Sequence, residues 1–113
     1  MLLNELNISD GKIINFNSSL LELKILLQDW QEQRWLITFK DVLSIQSMSV
    51  ECEELSHLEI LKEDSFKTHT LEYFSDENSI NYFCYNFYGV WSDRALLTII
   101  ATDNYSISKL DDH

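Results

Sequence analysis

The stretch Ile80-Asn81-Tyr82-Phe83-Cys84-Tyr85-Asn86-Phe87-Tyr88-Gly89-Val90-Trp91 alternates between two faces, and both are apolar or aromatic. Phe83, Tyr85, Phe87 and Trp91 fall on one side; Tyr82, Cys84, Tyr88 and Val90 fall on the other. A strand of that kind belongs at the centre of a sheet, covered on both faces. After the short turn Ser92-Asp93-Arg94, residues 95–102 repeat the pattern with Leu96, Leu97, Ile99 and Ile100, which makes them its hairpin partner.

Working outward, residues 20–28 put Leu21, Leu23, Ile25 and Leu27 on one face and Glu22, Lys24 and Gln28 on the other. Residues 29–33 are a polar turn holding Trp30, and residues 34–41 alternate again with Trp35, Ile37 and Phe39 inward. The two runs predict an antiparallel hairpin. Residues 12–16 read as a short strand after the Asp10-Gly11 turn signal, and residues 42–48 as a third strand or a bent extension of the hairpin. Residues 66–74, with Thr68, Thr70, Tyr73 and Phe74, read as a strand, and residues 105–110 as an edge strand or tail, with 111–113 fraying. Residues 51–64 support two readings. Leu55, Leu58 and Leu61 at helical spacing in a Glu- and Leu-rich run favour a helix, while His57, Glu59 and Leu61 opposed to Leu58 and Ile60 make a strand. The expected architecture is α+β and mostly β: one antiparallel sheet of five to seven strands with one or two short helices, in a single domain spanning 1–113.

The chain has 113 residues and a net charge of −11, with 45% hydrophobic and 12% aromatic content, which suits a globular core and argues against disorder. There is no proline and there are only two glycines, Gly11 and Gly89, so turns fall to Asn, Asp and Ser. No run approaches the roughly 20 apolar residues of a membrane helix, and residues 1–10 contain Glu5 and Asp10 but no Lys or Arg, unlike a signal peptide. These features predict a cytoplasmic protein with reduced cysteines at Cys52 and Cys84. The charge is uneven. Residues 1–50 carry six acids against four bases, a net of −2; residues 51–113 carry thirteen against four, a net of −9. That asymmetry predicts a negative surface that attracts a basic partner and repels nucleic acid and anionic membrane.

Catalytic signatures are missing. Two isolated glycines cannot form a phosphate-cradling loop. Cys52, His57, His69 and Cys84 include no closely spaced ligand pair, so no metal and no cofactor is expected. Cys84, between Phe83 and Tyr85, is placed in an apolar strand that makes a thiol inert, and Cys52 sits between Glu51 and Glu53, which disfavour a thiolate. The sequential acid pairs Glu53-Glu54, Glu63-Asp64 and Asp76-Glu77 read as solvated surface. The predicted role is therefore binding. Candidate partner-binding residues are Glu51, Glu53, Glu54, Glu59, Glu63, Asp64, Asp76 and Glu77, with Trp30 and Trp91 as aromatic anchors at turns.

The size, acidity and Trp-bearing stretches Asp29-Trp30-Gln31-Glu32-Gln33-Arg34-Trp35-Leu36-Ile37-Thr38-Phe39 and Phe87-Tyr88-Gly89-Val90-Trp91-Ser92-Asp93 resemble the small acidic immunity proteins of bacterial polymorphic-toxin and contact-dependent growth inhibition systems. The resemblance implies a non-catalytic antitoxin, a monomer or weak dimer, that binds a cognate basic toxin domain, often a nuclease. Plain solubility is the competing account of the acidity. Two other classes remain open: a small-ligand binding domain or weak enzyme with an aromatic pocket near Tyr82, Tyr85 and Trp91, and a structural or oligomerisation domain.

Overall fold

A computed structural model describes residues 1–110; the fraying expected of 111–113 lies outside the described residues. The aromatic stretch becomes β6 (Phe83–Gly89), paired antiparallel with β7 (Ala95–Ala101). They form the middle of a sheet ordered β4-β7-β6-β5, with β4 at Val42–Ser47 and β5 at Leu55–Leu61. Both faces are covered, as the two-sided pattern requires. Tyr85, Phe87, Leu97, Ile99 and Ala101 point into the main core. Cys84 and Ile100 point the other way, into a smaller cluster with Tyr82, Leu43 and Leu61 that is roofed by Phe66 and Leu71 of helix α1 (Ser65–Tyr73).

The remaining strands, β1 (Lys12–Ser19), β2 (Glu22–Gln28), β3 (Arg34–Phe39) and β8 (Tyr105–Lys109), form a second antiparallel sheet ordered β1-β2-β3-β8. Its inward residues Ile13, Leu23, Ile25, Leu27, Ile37 and Phe39 meet those of the first sheet in one cluster. The molecule is thus α+β and mostly β, a sandwich of two four-stranded sheets. This corrects the expected single sheet of five to seven strands. The break comes at Lys40-Asp41, where Asp41 at φ 55° turns the chain out of one sheet and into the other. Period-2 patterning reports which residues face inward but not which strands share a ladder. Two sheets are the solution that covers both apolar inner faces.

Two segments change type. Residues 55–61, for which helix was favoured, form β5, with Leu58 opposite Phe87 and packed against the core, while Ile60, opposite Tyr85, is left 39% exposed. Pairing with the aromatic-rich β6 outweighs the modest helix preference of Leu and Glu. Residues 66–74, expected as a strand, are mostly α1. Asp64 caps it by accepting from the Phe66 N–H at 2.8 Å, and Phe66, Lys67, Thr70 and Leu71 then share the face laid on the sheet.

The start of the chain closes one side of the sandwich. Leu3, Leu6 and Ile8 are buried; the Leu3 N–H donates to Tyr105 Oη at 2.9 Å, and the Asp10 N–H donates to the Leu55 carbonyl at 2.9 Å. This segment therefore runs between the β8 and β5 edges. On the opposite side β1 and β4 are both edge strands, and among the described residues the outer edge of β1 is bridged only at Lys12 and Ile13.

Turns are built without glycine at positive φ. Asp10, Asp41 and Ser49 take the left-handed conformation, and so do Leu20, Leu21, Glu32 and Cys52. Leu20-Leu21, expected inside β2, is the two-residue turn joining β1 to β2, with φ of 45° and 63°. Positive φ at both positions is what a right-twisted hairpin demands, and leucine pays a steric penalty there that Asn-Gly does not. Leu20 is 97% exposed, so no packing offsets it. Replacing the pair, Leu20→Asn with Leu21→Gly, is expected to stabilise the fold by about 1–2 kcal/mol, read as a raised midpoint in urea. An unchanged or lowered midpoint would count against strain in this turn.

Candidate functional site

Strand direction assigns every connection to one end of the sandwich or the other. Residues 10–11, 29–33, 48–54 and 90–94 all fall at one end. They are tied together by backbone bonds. Leu55 N–H donates to the Gly11 carbonyl at 2.8 Å, Cys52 N–H to the Ile13 carbonyl at 2.7 Å, and Val90 N–H to the Glu54 carbonyl at 2.9 Å. Single bridges join Lys12 to Glu54 and Ile13 to Glu51. Gly11 is required at this junction, because a Cβ there would stand 2.6 Å from the Gln28 carbonyl oxygen.

The two tryptophans project from this end because their turns are organised by other residues. In the β2–β3 turn, Asp29 Oδ1 accepts from the Gln31 and Gln33 N–H groups at 2.9 Å each, and its Oδ2 accepts from Trp35 Nε1 at 3.0 Å. Trp30 takes no part and is left 59% exposed above a depression of about 200 Å³ that it lines with Asp10, Glu32, Cys52 and Glu54. In the β6–β7 turn, Ser92 Oγ accepts from the Arg94 N–H at 3.1 Å and donates to its carbonyl at 2.8 Å. Trp91 beside it is 88% exposed. Around them stand Asp10, Glu32, Glu51, Glu53, Glu54 and Asp93, all exposed. Among the described residues the one Lys or Arg ion pair is Lys24–Glu22, and His69 Nδ1 stands 3.7 Å from Glu72; neither is at this end, so its negative charge is not neutralised by contact.

The predicted acidic set does not converge. Glu51, Glu53 and Glu54 share the end with Trp30 and Trp91. Glu63, Asp64, Asp76 and Glu77 lie at the opposite end, beyond the far terminus of the seven-residue β5, a strand about 20 Å long. Glu59 sits between, facing outward beside Asn86. Two of the far acids have structural duties: Asp64 caps α1, and Glu77 accepts from the Tyr82 hydroxyl at 2.9 Å. Reasoning from the acid-rich second half of the chain missed Asp10 and Glu32, which belong to the tryptophan end. Counting hairpin reversals along the sequence would have placed them there, since successive turns of a meander alternate ends.

The aromatic pocket is not formed. Tyr85 is in the core, 4.8 Å from Phe39 ring to ring, with its hydroxyl donating to the Thr102 carbonyl at 3.0 Å. Tyr82 lies on the other side of the sheet, and Trp91 lies at the far end of β6. Tyr88 instead stacks on His57, 4.6 Å between rings at 8°. Among the described residues, no group of three or more His, Cys, Asp or Glu is placed to hold a metal ion, and no helix is long and apolar enough to cross a membrane.

The buried thiol of Cys84 is held inert. Cys84 is fully buried, and burial, reinforced by the Asp64 charge, pushes its thiol from 9.0 to about 12. Asn86 Nδ2 donates to its sulfur at 3.4 Å, and Thr98 Oγ1 donates to Asn86 Oδ1 at 2.8 Å. Beside them Lys67 is buried with its ammonium on the Lys62 carbonyl, and Thr70 shares a 2.7 Å hydrogen bond with Ser44. No buried side-chain polar atom among the described residues lacks a partner, which marks this layer as structural packing. Since the native state holds the Cys84 proton more tightly than the unfolded chain, stability is complete below about pH 9 and falls as pH rises toward about 12. Tyr82, pushed from 10.0 to about 12 chiefly by burial, acts in the same direction at higher pH. Urea midpoints are expected to decline between about pH 9 and pH 10, and Cys84→Ala is expected to flatten that decline. In native protein a thiol reagent should titrate Cys52 alone; rapid reaction of both thiols would contradict the burial of Cys84.

The chain matches no family model, no curated protein and no solved structure.

Proposed function

We propose that this chain is a non-catalytic binding protein of the immunity type, acting in the cytoplasm, that captures a basic toxin domain at the tryptophan end of the sandwich. The observation that carries the reading is the exposure of Trp30 and Trp91 at two tied turns, among carboxylates that outnumber the bases Lys12 and Arg94 beside them. An exposed aromatic gains from desolvation at the centre of an interface, and rim charges of one sign steer an oppositely charged partner to it. Solubility alone accounts for the carboxylates but gives no reason for indoles in turns that other residues already stabilise.

The partner class is a protein presenting a cationic cleft, such as a nuclease active site, where carboxylates occupy positions otherwise taken by phosphates. The test is co-expression with the protein encoded immediately upstream. Growth protected by the wild-type chain, and lost when Glu51, Glu53 and Glu54 are changed together to Lys, supports the reading. Protection that survives the charge reversal would count against this end as the docking site.

A further inference from the structure

We infer that the free edge of β1 is a self-association seam, pairing antiparallel with β1 of a second copy about a twofold axis at Asn17. β1 is the longest strand, eight residues, and its outer edge is occupied only at its start, by the bridges of Lys12 to Glu54 and Ile13 to Glu51. From Ile14 onward, no backbone group on that edge has a partner among the described residues. Edges in natural sheets are protected by charge, proline, shortness or a covering segment. Here the other edges have such protection. β8 is five residues long and ends in Lys109; β5 carries Glu59 and is flanked by the buried start of the chain; β4 is bulged between Val42 and Ser44, and Ser44 is bonded to α1. β1 is bulged at Ile14 and its last residues line a depression with Val42 to Ile45 of β4, but over residues 15–19 it carries neither charge nor proline and no further backbone partner among the described residues, and no charged residue occurs from Ile13 to Leu21.

The neutrality identifies the occupant. A chain of net charge −11 repels its own copies except where charge is absent, whereas a basic partner is drawn to the acidic ends. A twofold axis perpendicular to the sheet preserves inner and outer faces, so directly paired residues must have the same parity. With Ile13 covered, the register that uses the free edge sets Asn15 opposite Ser19, Phe16 opposite Ser18, and Asn17 opposite itself. The second sheet then continues across the axis as eight strands. This seam is separate from the tryptophan end, and salt acts on the two in opposite directions: it tightens the pairing of like-charged copies and weakens capture of a basic partner.

Sedimentation equilibrium on the purified full chain tests this. The monomer is 13.3 kDa; the mass is expected to rise toward twice that value between about 10 μM and 1 mM and to rise further with added salt. Asn17→Asp keeps the fold, because within the chain its neighbour on β2 is Lys24, yet across the axis it sets carboxylate against carboxylate. It is expected to weaken association more than tenfold, and an equimolar mixture of Asn17→Asp and Asn17→Lys is expected to restore it. In the wild type, amide exchange at Phe16 and Ser18, whose N–H groups point to the free edge, should slow as concentration rises. A monomer throughout the range, an Asn17→Asp protein that associates like the wild type, or a mixture that stays monomeric would each overturn the seam.

Discussion

Phe39→Ala is expected to remove about 3–5 kcal/mol of stability, a large part of the roughly 5–15 kcal/mol available to a domain of this size. Phe39 is fully buried on β3 and its ring stands 4.8 Å from Tyr85 on β6 and 5.6 Å from Tyr105 on β8. It therefore joins both sheets. Truncation forfeits the ring's burial and two edge or tilted aromatic contacts, and leaves a cavity between layers that cannot slide to close it. Urea denaturation of the variant measures the loss. A cost below about 1 kcal/mol, the scale of an exposed-site change, would contradict the face-to-face packing of the two sheets.

The second large effect concerns association. Changing Glu51, Glu53 and Glu54 together to Lys replaces three carboxylates by three ammonium groups on one tied connection, a swing of six charges. For a basic partner the association rate at low salt is expected to fall by about 10²-fold or more, with a smaller change at high salt. Trp91→Ala is expected to act differently. It removes a central apolar anchor, so it should raise the dissociation rate, costing about 2 kcal/mol or more with little dependence on salt. Stopped-flow association and dissociation traces separate the two. Equal effects of both variants on the association rate would contradict the division into rim charge and aromatic anchor.

The legible part of this fold was the part governed by period-2 patterning. Every inward residue anticipated for β2 and β3 except Leu21 is inward, and the two-sided pattern of β6 and β7 placed them at a sheet centre, because alternation follows from the pleat itself. Sheet membership was not legible, because the two-residue passage at Lys40-Asp41 looks in sequence like any hairpin turn and in space changes layers. Residues 66–74 misled because Thr68, Thr70 and Tyr73 have strand propensity, whereas the deciding interaction is the single Asp64 cap followed by a helical face of Phe66, Thr70 and Leu71. Leu20-Leu21 misled because leucine is disfavoured at positive φ. For the candidate site, the exposure of Trp30 followed from its place in a turn. The grouping of Asp10 and Glu32 with Glu51 to Glu54 did not, since it depends on which ends of eight strands coincide. The separation of Glu63, Asp64, Asp76 and Glu77 from that group has the same origin.

Calorimetric titration of the purified chain into the protein encoded immediately upstream, at low and at high salt, tests the central claim most directly. One-to-one binding is expected, weakened by salt, reduced by the Glu51, Glu53 and Glu54 reversal and by Trp91→Ala, and unaffected by reversing Asp76 at the opposite end. Binding that is insensitive to salt and to the tryptophan-end variants, or that is lost when Asp76 is reversed, would contradict it.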